Sequence, residues 1–325
     1  MFDITALGEL LIDFTPSGIS ENGNILFERN PGGGPGNLLA AASKLGARTA
    51  FLGKVGDDMF GRFLEETLTD NNIDTSGMKV SRTVNTTLAF VQLDPNGDRS
   101  FSFYRNPGAD MMLEEGEIDE TIIKSSKIFH FSSISMTDEP AKSATLRALE
   151  IAKKNDLIIS FDPNYRPMLW RTPDDAKREI LNGLKYANIL KISDEEMAFI
   201  TGESDMATGT ECLRHYGINF IIVTLGKKGL FYKIGDMSGS LPTYNVKTID
   251  TTGAGDAFLG GLLFKLKDIN LPGILRLKKN EIENILDFAN AVGACSTTKK
   301  GGIPSMPQPD EVEHCLKHMP KLIQH

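Results

Sequence analysis

Short apolar segments alternate with helical patterns along most of this chain, and no other feature restricts its fold as much. The predicted core strands lie at residues 4–8, 49–53, 127–131, 157–162, 188–192 and 220–225. The predicted helices are a stripe of Leu38, Ala41, Ala42 and Leu45 that ends at Gly46, and patterns at residues 60–71, 140–154, 174–186, 194–201 and 281–297. This alternation predicts an α/β fold with a mainly parallel central sheet covered by helices on both faces.

Two segments, residues 13–30 and about 86–107, depart from the alternation. They contain paired strand patterns without helices, and the second has a turn signal at residues 94–97 (DPNG). We expect a small β-sheet that projects from the main domain as a lid; a hairpin without a role in function is the alternative. The chain shows neither an internal repeat nor an interdomain linker, so we expect one domain over residues 1–325.

Composition limits the ligands that this chain can bind. The formal net charge is −8, whereas a nucleic-acid surface needs clustered Lys and Arg. Cys212, Cys295 and Cys315 lack the spacing of a disulfide framework or a zinc site. The first eight residues are typical of a strand rather than a targeting segment, and no apolar run is long enough to span a membrane. We therefore expect a cytoplasmic protein that binds neither nucleic acid nor membranes.

Residues 250–256 (DTTGAGD) precede an amphipathic helix. Small residues leave backbone N–H groups free at a helix start, where they and the helix dipole bind anions. A carboxylate at Asp256 is suited to removing a proton, so the segment indicates phosphoryl transfer to a hydroxyl with Asp256 as the base. A tight turn in which Asp256 caps the helix is the alternative. Gly260 and Gly261 lower the helix propensity that follows, which predicts close packing against a neighbour.

Polar segments also follow several predicted strands, at the edge where ligands bind in parallel α/β sheets. They are Asp13, residues 32–37 (GGGPGN), residues 162–166 (DPNYR) and residues 224–229 (TLGKKG). Each alone is as typical of a turn as of a ligand site. The chain lacks GxxxxGK[ST], which excludes a P-loop, and lacks GxGxxG after the first strand, which removes the main argument for a dinucleotide-binding dehydrogenase.

Residues 32–37 and 250–256 resemble the two signatures of the PfkB (ribokinase-like) family of carbohydrate kinases. The resemblance extends from about residue 4 to residue 307, and at residues 103–110, 162–170 and 191–196 it is to the fructokinases of that family. It implies a three-layer α/β/α sandwich with a β-sheet lid that closes over a sugar. It also implies transfer of the γ-phosphoryl group of ATP to a sugar hydroxyl, at C6 if the sugar is fructose.

The same resemblance implies the residues of the site. The implied sugar-binding residues are Asp13, Gly33, Asn37, Phe103, Arg105 and Arg166. The implied nucleotide-binding residues are Lys191, Ser193, Thr224, Gly226, Gly229 and Asn290. The amides of Gly253, Ala254 and Gly255 would form an anion hole beside Asp256, the general base. Arg105 from the lid and Arg166 from the core would close over the sugar.

Two cations are implied as well. Mg²⁺ would bridge the ATP phosphates mostly through water, and Glu196 would act on it through water. Many family members carry Asn-x-x-Glu here; Ser193 takes the Asn position, so a direct amide contact is lost. A monovalent cation, typically K⁺, would bind around Asp250, Thr252, Ser296, Lys299, Gly301 and Ser305. A structural turn at residues 299–302 is the alternative to this second site.

Three functions remain open at this point. The first is an ATP-dependent fructokinase, and its nearest rival is a 2-keto-3-deoxygluconate kinase, because Arg105 and Arg166 are equally suited to a carboxylate. The third is a non-catalytic sugar-binding regulator on the same fold, which would not need the base Asp256. Exposed lid strands can pair with those of another subunit, so we expect a homodimer through the lid.

Overall fold

The computed structural model of this protein describes residues 1–93 and 99–322, and its strands form two sheets. The strands in these ranges are β1 (Phe2–Leu7), β2 (Leu11–Ile19), β3 (Ile25–Gly32), β4 (Thr49–Gly56), β5 (Ile73–Asp74), β6 (Met78–Ser81), β7 (Leu88–Leu93), β8 (Arg99–Tyr104), β9 (Ser126–Ser132), β10 (Ile158–Asp162), β11 (Ile189–Ser193), β12 (Phe220–Thr224), β13 (Leu230–Ile234) and β14 (Met237–Leu241). The large sheet has the order β14-β13-β12-β11-β10-β9-β1-β4-β5, and β6 also pairs with β4. Its pairs are parallel from β12 to β5 and β6, as predicted.

Helices cover both faces of the large sheet. The α-helices in the described part of the chain are α1 (Gly34–Lys44), α2 (Met59–Asp70), α3 (Glu120–Lys124), α4 (Ala141–Lys154), α5 (Pro173–Leu184), α6 (Asp194–Thr201), α7 (Met206–Arg214), α8 (Ala254–Leu266), α9 (Leu271–Ile274), α10 (Lys279–Ser296) and α11 (Pro309–His318). Phe220 and Ile222 belong to the core that contains residues of α1, α8 and α10, whereas Ile221 and Val223 belong to the core on the other face, with α4 and α5. Strands buried on both faces need apolar residues at successive positions. The predicted three-layer architecture is confirmed. No helix within these ranges has both the length and the apolar composition needed to cross a membrane.

Helix α8 lies between α1 and α10, and its glycines allow close contact with both. An ideal Cβ on Gly260 would lie 2.6 Å from the carbonyl oxygen of Leu38 in α1. An ideal Cβ on Gly261 would lie 2.8 Å from Cγ2 of Val292 in α10. The structure therefore confirms the predicted close packing at these two glycines.

The second sheet has the order β3-β2-β7-β8 and is the predicted small β-sheet. Strands β2 and β3 are antiparallel, as are β7 and β8, whereas β2 and β7 are parallel. The sheet begins at Leu11 rather than at Asp13. The rings of Phe14 and Phe90 stack with centroids 4.8 Å apart, so the sheet has apolar contacts of its own. The turn predicted at residues 94–97 lies outside the described residues.

The sequence analysis did not predict the β13–β14 hairpin, which adds two antiparallel strands to the large sheet. Its turn is Gly235 and Asp236, and Gly235 has a φ of 54°. A two-residue Gly-Asp turn is a hairpin signal that the chain does carry. Strands β5 and β6 span two and four residues, too few for a periodic pattern to indicate them.

Candidate active site

Helix α8 begins beside the carboxyl ends of β10 and β11. Gly253 occupies the N-cap position with a φ of 73°, and no side chain caps the helix. In the part of the chain that the structure describes, the amides of Gly255 and Asp256 have no acceptor, whereas the amide of Ala254 donates to the carbonyl of Thr251 at 3.2 Å. Free amides at a helix start attract anions. The N-cap is Gly253, so Asp256 has another role than capping.

Asp256 is half-buried, and its Oδ2 accepts a hydrogen bond from Nδ2 of Asn37 at 2.9 Å. Burial raises the pKa of Asp256 to about 6, and the negative charge of Asp162 contributes to the rise. The hydrogen bond from Asn37 and the positive charges of Lys191 and Arg166 oppose it. A carboxyl group with this pKa is mostly ionised at neutral pH and more basic than a free aspartate, which suits a general base.

Asn37 joins the glycine-rich turn of residues 32–37 to Asp256. Its side chain is buried, and its Oδ1 has no hydrogen-bond partner among the described residues. Gly33 has a φ of 117°, and an ideal Cβ there would overlap the carbonyl oxygen of Glu9, so only glycine fits. An unpartnered buried acceptor is unfavourable. The Oδ1 atom of Asn37 is therefore suited to accept a hydrogen bond from a ligand hydroxyl.

Asp13 and Arg166 lie near each other, and Arg166 lies near Asp256. Burial raises the pKa of Asp13 to about 7, the positive charge of Arg166 opposes the rise, and the negative charge of Asp250 adds to it. The side chain of Arg166 is exposed, and its charge also acts on Asp256. The charge of Arg166 therefore acts both on Asp13, the other predicted sugar residue, and on Asp256, the predicted base.

The two predicted sugar residues of the lid are placed differently. Phe103 is half-buried on β8. Arg105 is buried just beyond β8, where its Nε donates to Oδ2 of Asp110 at 2.7 Å. Its Nη1 and Nη2 donate to Oγ1 of Thr137 and the carbonyl of Ile134, at 2.9 and 3.1 Å. Arg105 thus holds the base of the small sheet, and its contact with a sugar stays a prediction.

Lys191 lies beneath the start of α8. Its Nζ donates to Oδ2 of Asp162 at 2.9 Å, and it is 2.7 Å from the position of an ideal Cβ on Gly255. Burial opposes the charge of Lys191, but the carboxylates of Asp162, Glu196 and Asp256 outweigh burial and raise its pKa. A buried ammonium group therefore lies next to the free amides of α8 and adds to their attraction for an anion.

Ser193 and Glu196 form a capping box at the start of α6. Oγ of Ser193 accepts from the amide of Glu196 at 3.1 Å, and Oε2 of Glu196 accepts from the amide of Ser193 at 2.8 Å. Oε1 of Glu196 accepts from the amide of Tyr165 at 2.7 Å, which ties α6 to the loop that carries Arg166. A carboxylate oxygen has two lone pairs, so Glu196 retains the capacity to accept from water.

The remaining predicted nucleotide residues lie along the same edge of the sheet. Thr224 ends β12 opposite the last residue of β11. Gly226 and Gly229 follow with φ values of 54° and 87°, and an ideal Cβ on Gly229 would overlap the last carbonyl of β14. Nδ2 of the buried Asn290 donates to the carbonyl of Pro242 at 3.3 Å, which ties α10 to the end of β14.

The residues predicted for a monovalent cation lie on two loops that Asp250 joins. Oδ2 of Asp250 accepts from the amide of Gly301 at 3.0 Å, and Oδ1 accepts from the amide and Oγ1 of Thr252, each at 2.8 Å. The other side chains form bonds within the protein: Ser296, Lys299 and Ser305. Backbone carbonyls at this junction are therefore the groups best suited to a monovalent cation. No cluster of three His, Cys, Asp or Glu side chains within residues 1–93 and 99–322 could hold a metal ion.

Sequence reasoning missed three polar residues near this site. Asn164 has a φ of 47°, and its Nδ2 lies 2.5 Å from the position of an ideal Cβ on Gly34. The DPN turn could have indicated it, because Asn tolerates this backbone region. Glu9 and Asp110 have no local signal, because their hydrogen-bond partners include residues remote in sequence.

The chain is similar to known proteins over nearly its whole length. The sequence profile of the pfkB family carbohydrate kinases matches residues 1–309. Probable fructokinase-2 of Arabidopsis thaliana is 42% identical over 317 residues, which are 97% of this chain and 95% of the relative. The structure of a fructokinase from Xylella fastidiosa with bound ATP matches with a TM-score of 0.91 and 31% identity, over 98% of this chain and 99% of the other. The structure of a fructokinase double mutant from Vibrio cholerae O395, with fructose, ADP and potassium ion bound, matches with a TM-score of 0.86 and 32% identity, over 97% of this chain and 98% of the other.

Proposed function

Because this chain belongs to the pfkB family of carbohydrate kinases, we propose that it is an ATP-dependent fructokinase that phosphorylates the C6 hydroxyl of fructose. The hydrogen bond between Asn37 and Asp256 carries this proposal, since it joins the glycine-rich turn to an acid at a helix start. The acid has a pKa raised to about 6, as a base that acts near neutral pH requires. The relatives named as fructokinases, one with ATP bound and one with fructose and ADP bound, support the choice of substrates.

The chemical step uses groups at the start of α8. Asp256 accepts the proton of the C6 hydroxyl as its oxygen bonds to the γ-phosphorus, and the bond from that phosphorus to the bridging oxygen of ADP breaks. Negative charge on the transferred group is stabilised by the amides of Gly253 and Gly255, with the Lys191 ammonium beneath them. The amide of Ala254, also predicted for the anion hole, already donates to the carbonyl of Thr251. In this role Lys191 acts through charge, because Asp162 already holds its Nζ.

Sugar binding is assigned to the cleft in front of Asp256. Oδ1 of Asn37 accepts from a sugar hydroxyl, and Gly33 lets the ring approach the backbone. Asp13, which is half-buried, accepts from further hydroxyls of the sugar. Arg166 closes the cleft from the core side, and Phe103 with Arg105 contributes from the lid.

ATP is assigned to the edge formed by Ser193, Thr224, Gly226, Gly229 and Asn290. At Gly226 no atom lies within 4 Å of an ideal Cβ, so this turn leaves open space beside the backbone, whereas Gly229 packs against the end of β14. Mg²⁺ would neutralise phosphate charge at this edge, and Glu196 would act on it through water. K⁺ is assigned to the carbonyls where the loops of Asp250 and Gly301 meet, in keeping with the potassium ion bound to the Vibrio cholerae relative.

The test is a steady-state assay with ATP and a panel of fructose, 2-keto-3-deoxygluconate and ribose. We expect the highest kcat/KM for fructose and fructose 6-phosphate as the product, with its position established by ³¹P NMR. Equal or faster turnover of 2-keto-3-deoxygluconate would contradict the choice of sugar. Sugar binding without turnover would favour the non-catalytic regulator instead.

The proposal extends to a homodimer that forms through the small sheet. Strand β3 is an edge strand whose Ile25, Leu26 and Phe27 are 63%, 47% and 40% exposed. Apolar side chains on an unpaired edge favour pairing with a second copy of the chain.

We also propose a cytoplasmic location, which fits the three free cysteines, Cys212, Cys295 and Cys315.

Sedimentation velocity tests the homodimer. We expect the wild type to sediment as a dimer and Ile25→Asp to sediment as a monomer, because a charge on the edge opposes pairing. Val80→Asp is the matched control, since Val80 is 50% exposed on β6, outside the small sheet. A monomeric wild type would contradict the proposal.

A further inference from the structure

Glu9 is a buried acid that the chemistry above does not use. It follows β1 at the carboxyl edge of the large sheet and is 2% exposed. Its Oε1 accepts from the amide of Gly34 at 2.8 Å, and its Oε2 accepts from Oγ of Ser132 at 3.2 Å. Gly34 is the first residue of α1, and Ser132 is the last residue of β9. Glu9 therefore ties a helix start to the strand that neighbours β1.

The helix start that Glu9 holds carries the glycine-rich turn. The amide of Asn37 donates to the carbonyl of Gly33 at 3.0 Å, so Asn37 lies one turn into α1. The carbonyl of Glu9 packs against Gly33 where a Cβ would otherwise lie. Glu9 thus contacts this turn through its side-chain carboxyl and through its backbone carbonyl. A shift of Gly34 would move Asn37 relative to Asp256.

Stability alone does not account for an acid at this position. Burial raises the pKa of Glu9 to about 7, and the charge of Asp110 adds to the rise, while the Gly34 amide and the charge of Arg105 oppose it. A buried ionisable group is unfavourable compared with a neutral side chain of the same shape. A carboxylate at this position stabilises the start of α1, because it accepts from a backbone amide there and its negative charge interacts favourably with the helix dipole.

We propose that Glu9 is a positioning residue that fixes the first turn of α1 and thereby presents Gly33 and Asn37 to the sugar. The role of the turn as the sugar contact rests on the proposed function. Glu9 itself need not touch the sugar, because it acts through the Gly34 amide.

Kinetic constants of Glu9→Ala and Glu9→Gln test this role. We expect Glu9→Ala to raise KM for fructose by about tenfold, because the free energy of about one hydrogen bond in sugar binding is lost when the turn is no longer fixed. KM for ATP should stay within about twofold, because the nucleotide residues lie on other elements. Glu9→Gln should restore most of the affinity, since its amide oxygen still accepts from Gly34 and its Nε2 can donate to Ser132.

Asp3→Ala is the matched control, because Asp3 is a buried acid at the opposite end of β1, bonded to Arg48. It should lower stability to urea and leave KM for fructose unchanged. An equal rise in both KM values, an unchanged KM in Glu9→Ala, or the same rise in Asp3→Ala would overturn the positioning role. If Glu9→Ala does not fold, Ser132→Ala removes one of the two bonds and must still raise KM for fructose selectively.

The wild-type assay separates this inference from the proposed function. If the wild type phosphorylates another sugar in place of fructose, the proposed function fails, and the same variants are measured with that sugar. A selective rise in its KM would still support Glu9, whereas a wild type that binds no sugar would overturn both.

Discussion

Partners decide how the buried acids of this protein titrate. Hydrogen bonds from Arg48 and Lys127 hold the pKa of Asp3 well below its usual range, despite burial. Burial dominates at Asp13 and Asp256 and raises their pKa values to about 7 and about 6. Both are residues of the proposed site, where the hydroxyl groups of a sugar would supply further hydrogen bonds.

The substitution Asp256→Asn tests the role of this single residue. We expect kcat to fall by about three orders of magnitude, because the amide cannot accept a proton from the sugar. Fructose affinity measured by calorimetry should survive, since an amide oxygen still accepts from Asn37. The wild-type kcat should itself fall as pH decreases through about 6, where Asp256 becomes protonated.

Asp236→Asn is the control for that substitution, because its side chain is 96% exposed at the turn after β13. It should leave kcat unchanged. Turnover at the wild-type rate in Asp256→Asn would remove Asp256 as the base.

Among the elements, α8 determines the geometry of the site. It contacts α1 at Gly260 and α10 at Gly261, so the helices that carry Asn37, Asp256 and Asn290 form one packed unit. A glycine in a helix interior lowers helix propensity by about 1 kcal/mol relative to alanine. Close contact between helix backbones outweighs that loss here, because no side chain would fit.

Gly260→Ala should therefore destabilise the protein in spite of its better helix propensity. Its Cβ would meet the Leu38 carbonyl, a backbone atom that cannot rotate away, and we expect a net loss of about 2 kcal/mol in urea unfolding. The substitution should also lower kcat, because it separates α1 from α8. Gly116→Ala is the control, since nothing lies within 4 Å of a Cβ there. Increased stability of Gly260→Ala would contradict the packing argument.

How far the sequence predicts these elements depends on the range of their contacts. Strands such as β12 carry successive apolar residues, so the sequence predicts these strands and their parallel orientation, but not their order in the sheet. The fold also places Asn37 and Arg166 near Asp256, and Asp13 near Arg166, as the strand-end rule predicts. Glu9 and its partner Ser132 are 123 residues apart, and Asp110 and its partner Thr87 are 23 residues apart. Such pairings follow from tertiary packing and leave no local pattern.

On the scale of the whole molecule, three acids among the residues that the structure describes have pKa values that rise on folding: Glu9, Asp13 and Asp256. In the unfolded chain such carboxyls titrate near about pH 4. Between that pH and about 7 these three groups bind more protons in the folded state than in the unfolded state, so they make stability increase as pH falls. His130 has the opposite effect, because burial lowers its pKa to about 3 and only the unfolded state binds its proton.

Three acids outweigh one histidine, so the free energy of unfolding should be larger near pH 5.5 than near pH 8. Urea denaturation of the ligand-free protein at the two pH values measures this difference. Glu9→Gln should reduce it, because one of the three groups no longer titrates. A free energy of unfolding that decreases from pH 8 to pH 5.5 would contradict the balance.

The Asn37–Asp256 bond joins residues that are 219 positions apart. A ribosome therefore releases the glycine-rich turn long before it releases the base, and the N-terminal part of a nascent chain can begin to fold first. Until α8 inserts between α1 and α10, a growing or truncated chain has the turn without the acid that would act on its sugar. The two halves of the site therefore meet only after residue 256 has been synthesised and α8 has packed against α1.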